Sequence, residues 1–270
     1  MSIRILDLDI ETSPALKWGY GMFGQNYSLE MIHTPPGIVG WATAWDGEPA
    51  RNTTWYDGPA LDGFVDDLDT LWDQLDEATH VEHFNGRSFD MKWINHEFIK
   101  YGIAGTGHRR KPGHGRPPSP YKQIDLMREI KREVRSLSNK LQFLSTDLLH
   151  LEGKIGASAL TLWIDMYDAR QAGDEVAYQK ARAKMARYCR QDVNLLPKMR
   201  RQYLPWMRGI NVNLYNGDPD SCTNCGGTKL QRRGYAYTAV GKRQRWHCAA
   251  CGSWIQSARG GEFTNVRKAT

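Results

Sequence analysis

The run RILDLDIETSP, residues 4–14, decides the fold because it places acids inside an apolar strand. Its apolar residues indicate a first strand over residues 3–10. Side chains two residues apart on a strand point to the same face, so Asp7, Asp9 and Glu11 project as near neighbours. Two like charges ~4 Å apart repel by roughly 4 kcal/mol at an effective dielectric constant of about 20. The crowding therefore needs a compensating partner.

Two later segments add further acids framed by apolar residues. HFNGRSFD, residues 83–90, places Asp90 in the first turn of a helix directly after a strand. ARYCRQDV, residues 186–193, places Tyr188 and Asp192 four apart on one helix face. Carboxylates gathered from separate segments repel unless cations lie between them, and carboxylate oxygens suit Mg2+ or Mn2+. Taken together, the three segments predict a pair of divalent ions of the kind that supports phosphodiester cleavage.

Each segment taken alone has a plainer interpretation. The strand acids are also typical of an exposed sheet edge, Asp90 of a charge at a helix N-terminus, and Tyr188 with Asp192 of a helix surface pair. Asp7 either faces the same site as its neighbours or makes a structural hydrogen bond at the sheet edge.

The combination is more specific. The order DIET (residues 9–12), N-x3-FD (residues 85–90) and Y-x3-D (residues 188–192) resembles the tyrosine-bearing DEDDy branch of the DEDD 3′→5′ exonucleases. The resemblance covers residues 1–205. It extends to a phage and bacterial subgroup of RNase H-like exonucleases through SPALKWGYGMFGQN, SNKLQFLSTDLL and the C-terminal CTNCGG to CAACGSW. It implies an α/β fold in which helices flank a mixed central sheet.

The same resemblance implies roles for individual residues. Asp9, Glu11 and Asp192 would hold one Mg2+ or Mn2+ ion, and Asp9 would bridge to a second ion that Asp90 reaches through water. Tyr188 would orient the attacking water, and Glu11 would also lie near the terminal 3′-hydroxyl.

Two further positions match residues that line the substrate groove in that family. They are Asn85 and Phe89. Phe89 is equally well interpreted as a core residue of its helix, because aromatic residues at helical spacing usually pack.

The cysteines predict a separate metal centre. Four of the five form two C-x2-C pairs 22 residues apart: Cys222, Cys225, Cys248 and Cys251. In a chain without a secretory signal this spacing is typical of a zinc ribbon, with four thiolates around one structural Zn2+. His247 adjoins a ligand, but four cysteines already complete a closed tetrahedral shell. A module this small depends on its metal for folding.

Basic charge is concentrated on the same C-terminal module. Residues 221–270 carry nine Lys and Arg against one Glu, whereas residues 1–220 have a net charge of −2. Such a surface predicts a polyanionic partner, and rings among the cations can stack on unpaired bases. The alternatives are a solvated basic tail and a ribbon core built from these rings. The candidate substrate-binding residues are Arg232, Arg233, Tyr235, Lys242, Arg243, Arg245 and Trp246.

Periodicity and turn residues divide the chain into elements. The predicted strands after the first lie at 38–46, 52–57, 80–84 and around QIDLM at 123–127. The predicted helices lie at 61–75, at 88–101 with Ser88 as N-cap, at 138–149 and from Asp174 onward, with a kink or restart at Pro197. The Gly-, Pro- and Arg-rich segment 102–122 is predicted to be a loop that either grips a phosphate backbone or is a solvated insertion.

These elements give a domain plan. We predict an exonuclease domain at 1–205, a linker at 206–220, a zinc ribbon at 221–257 and a basic tail at 258–270. The sequence has no apolar run of about 18 residues and no signal-peptide pattern, so we expect no membrane span and a cytoplasmic location, in the host if the gene is phage-encoded.

The expected function is a metal-dependent 3′→5′ exonuclease that acts on nucleic acid with a 3′ end, DNA in preference to RNA. Two other classes remain open. One is a catalytically inactive nucleic-acid-binding protein that works through its ribbon. The other is an RNase H-like endonuclease, which also draws acids from strands and a helix.

Overall fold

The computed structural model describes residues 3–19, 21, 26–52, 63–151, 159–207, 220–238, 241–257 and 266–268. The predicted strand at 52–57 lies outside these ranges from residue 53 onward, as does the predicted linker from residue 208 to residue 219.

The main domain is built on a mixed sheet of five strands, ordered β5-β4-β1-β6-β7. Their bounds are β1 Ile5–Thr12, β4 Ile38–Trp45, β5 Arg51–Asn52, β6 His80–His83 and β7 Lys122–Asp125. β1 is central, pairing antiparallel with β4 and parallel with β6, and β6 pairs parallel with β7. A separate two-stranded ribbon, β2 Leu16–Lys17 and β3 Ile32–Thr34, follows β1 along the chain, with a short 3-10 helix at Leu29–Met31.

Helices cover both faces of this sheet. They are α1 Phe64–Glu77, α2 Asp90–Tyr101, α3 Leu126–Glu133, α4 Ala159–Gln171 and α5 Glu175–Tyr203, with a π-helical turn at Phe143–Leu148. α1 and α2 pack on the face of β1 that carries Leu6, Leu8 and Ile10. α4 and α5 cover the opposite face, where Ala42 and Ala44 of β4 are small enough to let α5 approach closely. The predicted α/β fold, a mixed sheet flanked by helices, is confirmed.

The ends of the helices agree only in part with those predicted from the sequence. α5 begins next to Asp174 as predicted, and the Asp174 side chain caps it by accepting a hydrogen bond from Ala177 N. The prediction that Ser88 caps α2 is wrong, because the helix begins at Asp90 with Phe89 at the cap position. Instead, the Ser88 hydroxyl accepts a hydrogen bond from Arg128 Nη2 at 3.3 Å. α5 continues through Pro197 without a restart.

The basic segment between α2 and β7 is anchored along α1. Arg109 forms ion pairs with Asp66 and, at 2.8 Å, with Asp69. The backbone N–H of Thr106 donates to Asp73 at 3.1 Å, and Trp72 Nε1 donates to a carbonyl of the segment at 2.8 Å. Although the segment lacks regular structure, as predicted, its central arginine is neutralised by the helix.

The C-terminal module is an antiparallel sheet ordered β11-β10-β9-β8. Its strands are β8 Leu230–Thr238, β9 Gly241–Cys248, β10 Trp254–Ser257 and β11 Val266–Lys268. β11 lies within the predicted basic tail and pairs with β10. Among the helices that the structure describes, none combines the length and the apolar character needed to cross a membrane.

Candidate active site

Two strand acids and one helix cysteine meet on the face of β1 that α5 covers. Cys189 lies on α5, and its thiol donates to the carbonyl oxygen of Asp9 at 3.6 Å. The same sulfur lies 3.8 Å from Asp9 Oδ2. Possible ligand atoms of Asp9, Glu11 and Cys189 all lie within 4.8 Å of one another. Strand alternation therefore places both acids beside the helix that also carries Tyr188 and Asp192.

The sheet opens next to these acids. β6 pairs with β1 only as far as Asp7 opposite Glu82, so the β6 side of β1 has no strand partner beyond that point among the described residues. Asp90, the first residue of α2, fills the gap, and its Oδ1 accepts a hydrogen bond from Ile10 N at 3.1 Å. This arrangement sits at the carboxyl ends of two parallel strands, where α/β proteins usually bind ligands.

Asp90 is 3% exposed, and its surroundings perturb its titration. Burial raises the pKa of Asp90 to about 6, although the hydrogen bond from Ile10 N–H favours the charged form. Asp125 raises the pKa further through its own negative charge. A cation near Asp90 would compete with this proton below about pH 6.

The turn that delivers Asp90 is fixed by buried side chains from β6 and β7. Asp125 accepts hydrogen bonds from the backbone N–H groups of Asn85 at 3.1 Å and Arg87 at 3.4 Å. His83 Nδ1 accepts from Gly86 N at 3.1 Å, so its proton resides on Nε2, which faces Gln123 Oε1 at 3.2 Å. Burial lowers the pKa of His83, which keeps this ring neutral.

This turn requires glycine at position 86, because the residue lies too close to the His83 ring for a larger side chain. A Cβ atom added at Gly86 would lie 2.4 Å from the His83 ring, which is closer than atoms approach without displacement. Asn85 takes a left-handed backbone conformation with φ of 65°. These contacts fix the backbone conformation from residue 85 to residue 90.

α5 brings the third segment to the same place. Asp192 is buried and lies one helical turn beyond Tyr188, which is half-buried. Burial raises the pKa of the Cys189 thiol, and the negative charges of Asp9, Glu11 and Asp192 raise it further. All three carboxylates therefore lie within electrostatic reach of one sulfur atom.

This donor set fits divalent ions of the Mg2+ or Mn2+ class. A single ion can bind carboxylate oxygens of both Asp9 and Glu11, because these atoms lie within 4.8 Å of each other. Asp192 lies on α5, the helix that covers this face of β1. Oxygen-rich sites of this kind match the preference of both ions for carboxylates.

Asp7 does not join this cluster, although it shares the same face of β1. It is fully buried opposite Glu82, whose Oε2 accepts from Arg200 Nε of α5 at 2.7 Å. Arg200 also forms a 2.7 Å ion pair with Asp46. Burial, followed by the charge of Glu82, raises the pKa of Asp7 to about 10, so the two carboxyl groups share a proton. The sequence left two alternatives for Asp7: a place in the acidic site, or a structural hydrogen bond at the sheet edge. Asp7 makes a structural contact, but it does so at the centre of the sheet.

This shared proton predicts a pH-dependent stability. The folded pKa of Asp7 is raised to about 10, whereas an unfolded Asp titrates near ~4, so the folded state binds the extra proton between these values. Stability from this group is therefore present below about pH 4 and is lost as pH rises through that window, by about 1.4 kcal/mol per pH unit for one proton. Asp7→Asn keeps a donor toward Glu82 without ionising.

We expect the free energy of unfolding of Asp7→Asn to exceed that of wild type by an amount that grows from pH 5 to pH 9. Urea denaturation at three pH values measures it. Asp165→Asn, which removes an exposed acid of α4 outside this network, serves as the control and keeps the wild-type slope. Parallel pH profiles for wild type and Asp7→Asn would contradict the shared proton.

The C-terminal cysteines form a four-sulfur cluster. Cys222 Sγ lies 3.6 Å from Cys251 Sγ, Cys225 Sγ lies 3.7 Å from Cys248 Sγ, and all four sulfurs fall within 4.8 Å of one another. Zn–S bonds of about 2.3 Å in a tetrahedron separate the sulfurs by ~3.8 Å. The cluster therefore fits zinc.

Both C-x2-C pairs are built by the same turn. Each pair is followed by a glycine with positive φ, 71° at Gly226 and 75° at Gly252. Each of these glycine N–H groups donates at 2.9 Å to the carbonyl of the first cysteine in its pair. Only glycine adopts this conformation without strain.

The ribbon docks on the end of α5. Ser253 Oγ donates to Leu204 O at 3.4 Å, and the Asn224 amide donates to the same carbonyl. Pro205 lies 3.7 Å from the position of a Cβ at Gly252. Through these contacts the C-x2-C turns are attached to the helix that carries Tyr188 and Asp192.

The candidate substrate residues of the ribbon lie on the edge strand β8 and on its neighbour β9. Lys242 Nζ lies 3.7 Å from the Tyr235 ring centroid, and Arg232 Nη2 donates to the Tyr235 hydroxyl at 3.3 Å. Tyr235 is 39% and Tyr237 78% exposed, so neither tyrosine forms a ribbon core.

The remaining ribbon candidates differ in exposure. Arg233 is exposed, whereas Arg243, Arg245 and Trp246 are half-buried. Arg245 packs on the exposed Trp254 ring at 4.6 Å, an aromatic contact that the sequence analysis does not single out. In the main domain, Phe89 is 43% exposed, which removes its interpretation as a core residue, and Asn85 is half-buried.

A family model described as the RNase_H superfamily matches residues 50–203, more than half of the chain. The chain belongs to the RNase H superfamily. The matched range includes Asp90, Tyr188 and Asp192, whereas β1 with Asp9 and Glu11 precedes it. Membership supports a nuclease-type activity that uses divalent metal ions, without specifying the direction of cleavage.

Other comparisons add little to this assignment. A search of curated proteins gives no match. Among solved structures, the chain is similar to the family B DNA polymerase from the hyperthermophilic archaeon Pyrobaculum calidifontis, with 14% identity and a TM-score of 0.35. The match covers 88% of this chain and 31% of the polymerase, so this chain spans about a third of that protein's length.

Several supporting residues of this RNase H superfamily member escape sequence reasoning. Asp125 lies 35 residues after Asp90 in a segment predicted only as a short strand, and nothing local connects the two. Cys189 is a buried residue whose contact with Asp9 depends on the docking of α5 on β1. Arg200 has no local signal that could have identified its buried partners.

Proposed function

We propose that this protein is a metal-dependent 3′→5′ exonuclease that hydrolyses phosphodiester bonds of nucleic acid by a two-metal-ion mechanism. DNA is the preferred substrate, and RNA is the second choice. The observation that carries this proposal is the convergence of Asp9 and Glu11 from β1 on Cys189 of α5, the helix that also carries the buried Asp192, beside Asp90 at the start of α2. RNase H superfamily membership supports the nuclease class.

Each residue has a role that its position supports. Asp9, Glu11 and Asp192 would hold one divalent ion, and Asp9 would share a second ion that Asp90 approaches through water. Two bound ions supply an activated water and neutralise the attacking and leaving oxygens. Tyr188, one helical turn before Asp192, orients the attacking water toward the phosphorus through its hydroxyl. Burial of Asp90 and Cys189 limits solvent around these groups, which strengthens their electrostatic interactions.

The ribbon has a substrate-holding role in this proposal. Its cations, Arg232, Arg233, Lys242, Arg243 and Arg245, neutralise phosphates, and Tyr235 and Trp246 contact unpaired bases. The fully coordinated zinc is structural, because a closed shell of four thiolates leaves no position for substrate. Binding through these cations weakens as salt concentration rises.

The test uses purified protein with Mg2+ or Mn2+ on three substrates. A 3′-labelled single strand should lose its label first, and a 5′-labelled strand should shorten one nucleotide at a time. Covalently closed circular DNA, which has no 3′ end, should remain intact. Cleavage of the circle would favour the endonuclease alternative, and tight binding without turnover under either metal would favour an inactive binding protein.

A further inference from the structure

Positive charge is concentrated along α5, on a part of its surface that the proposed active site does not use. From Val176 to Tyr203 the helix carries eight Lys and Arg residues and one acid, the buried Asp192. Five exposed cations recur at helical spacing and form the basic stripe of α5: Lys180, Lys184, Arg187, Lys198 and Arg201. At 1.5 Å per residue the basic stripe is about 31 Å long.

The basic stripe lies beside the acidic site and outside it. With 3.6 residues per turn, Arg187 and Lys198 are rotated about 120–140° around the helix axis from Asp192. The stripe ends where the ribbon docks on Leu204. A long ligand bound along the stripe would therefore pass next to the acidic site and reach the ribbon.

The charges of the basic stripe are not balanced within the protein. Like charges three or four residues apart destabilise a helix, and three neighbouring pairs of the stripe have this spacing. A solvated helix face usually mixes both signs, so that opposite charges pair. Within the described part of the chain, Lys180, Lys184, Arg187 and Lys198 form no ion pair with an acid. This uncompensated row indicates that its counterion is an external anion.

A pocket in the middle of the basic stripe has the donors that a phosphate requires. Its volume is about 310 Å³, and it is lined by Arg187, Arg190, Gln191, Asn194, Leu195 and Lys198. None of these lining residues is acidic. Arg190 donates to Asn52 Oδ1 of β5, and Asn194 Oδ1 accepts from Ala50 N at 2.9 Å, so the edge of the sheet fixes both side chains. The NH2 group of Asn194 thus remains as a donor next to two guanidinium groups, which match phosphate oxygens well.

α5 presents this charge without exposed rings. Tyr178 and Tyr203 are buried, and Tyr188 is half-buried on a neighbouring face of the helix. Proteins that hold single strands add aromatic side chains on which bases stack, as the exposed Tyr237 and Trp254 of the ribbon can do. A duplex stacks its bases internally and presents its phosphates, which cations alone can bind. A rigid row of about 31 Å also matches about nine base pairs at 3.4 Å each.

We propose that the basic stripe binds backbone phosphates of a nucleic-acid duplex and that the pocket between Arg187 and Lys198 holds one of them. The proposal rests on the proposed exonuclease function and deepens it, because it assigns a 3′-tailed duplex as the substrate. The duplex lies along α5, and its 3′ tail extends to the acidic site beside the stripe.

The test measures binding of a duplex that is closed by a hairpin loop at each end and has no 3′ end. No Mg2+ or Mn2+ is added, so turnover does not interfere, and no chelator is used, so the zinc remains bound. By fluorescence anisotropy at about 0.15 M salt, Arg187→Gln/Lys198→Gln should bind roughly 10-fold more weakly than wild type. The slope of log K against log salt concentration should fall by about 1.8, which is ~0.9 for each lost phosphate contact.

A second double variant controls for net charge. Lys131→Gln/Arg135→Gln also removes one exposed Lys and one exposed Arg, but from the end of α3 and the residues that follow it. It should keep the wild-type affinity and salt slope. Glutamine has nearly the helix propensity of Lys and Arg, and all four positions are exposed, so both variants remain folded.

A single strand of the same length separates duplex binding from general attraction to phosphate. Arg187→Gln/Lys198→Gln should lose less affinity for the single strand than for the closed duplex, because the ribbon still binds unpaired bases. Equal losses on the two probes would overturn the proposal. So would equal binding of the closed duplex by the stripe variant and the α3 control.

This proposal and the exonuclease proposal fail differently. If wild type degrades a labelled strand with Mn2+ but the stripe variant keeps the wild-type salt slope on the closed duplex, the stripe assignment is wrong and the exonuclease stands. If the stripe variant loses that slope but no metal supports degradation by wild type, the protein binds duplexes without being a nuclease.

Discussion

Asp9→Asn and Asp192→Asn each lower the rate of oligonucleotide degradation by roughly 1000-fold or more, while both variants remain folded. Each substitution removes a charged oxygen that would hold an ion, and such electrostatic stabilisation amounts to several kcal/mol, at about 1.4 kcal/mol per factor of ten. Initial rates with Mn2+ on a 5′-labelled single strand measure this effect. Degradation at wild-type rates by both variants would mean that the assigned site is wrong.

The same substitutions separate catalysis from folding. Asp9 and Glu11 lie within 4.8 Å of each other, so their charges repel in the absence of cations. Replacement of Asp9 by the isosteric Asn relieves part of this repulsion, and we expect a melting temperature equal to or above that of metal-free wild type. Asp165→Asn removes an exposed acid of α4 and serves as the control that loses neither activity nor stability. A variant that unfolds would instead show that Asp9 supports the sheet.

Removal of zinc should unfold the ribbon and leave the main domain folded. Structural zinc contributes about 10–16 kcal/mol of apparent binding free energy in small modules, and this energy is folding energy. Cys222→Ser should abolish stoichiometric zinc and remove hydrogen-exchange protection from β8 to β10, whereas β1 and β6 keep theirs. Binding of nucleic acid should weaken and lose part of its salt dependence.

The fifth cysteine supplies the control for this experiment. Cys189→Ser, at the buried site beside Asp9, should retain one zinc per chain and a protected ribbon. Loss of protection across the central sheet in Cys222→Ser would contradict an independent role for zinc. Hydrogen-exchange protection of the ribbon in a variant that binds no zinc would also contradict this role.

Features whose causes are local could be predicted from the sequence. The four-cysteine cluster follows from a spacing that one turn imposes, because the glycine after each pair closes the loop between its two cysteines. The strand that contains Asp9 and Glu11 follows from alternation, and α1 follows from its three- and four-residue apolar spacing. The position of Asp90 in the first turn of α2 follows from the helix starting directly after β6.

Features that depend on register or docking could not be predicted. Asp7 differs from Asp9 only because β6 places Glu82 opposite it and α5 brings Arg200 to the pair. The misassigned cap at Ser88 has the same origin, since the turn is set by His83 and Asp125 from neighbouring strands.

The central claim is that acids from β1, α2 and α5 hold a pair of divalent ions at one site. Anomalous diffraction from crystals soaked in Mn2+ tests it most directly. The account predicts two peaks about 4 Å apart, the distance typical of two-metal sites, with Asp9 between them and Glu11 and Asp192 on one ion. An empty site at saturating Mn2+, with the four carboxylates keeping their positions and the zinc peak present in the ribbon as an internal control, would contradict it.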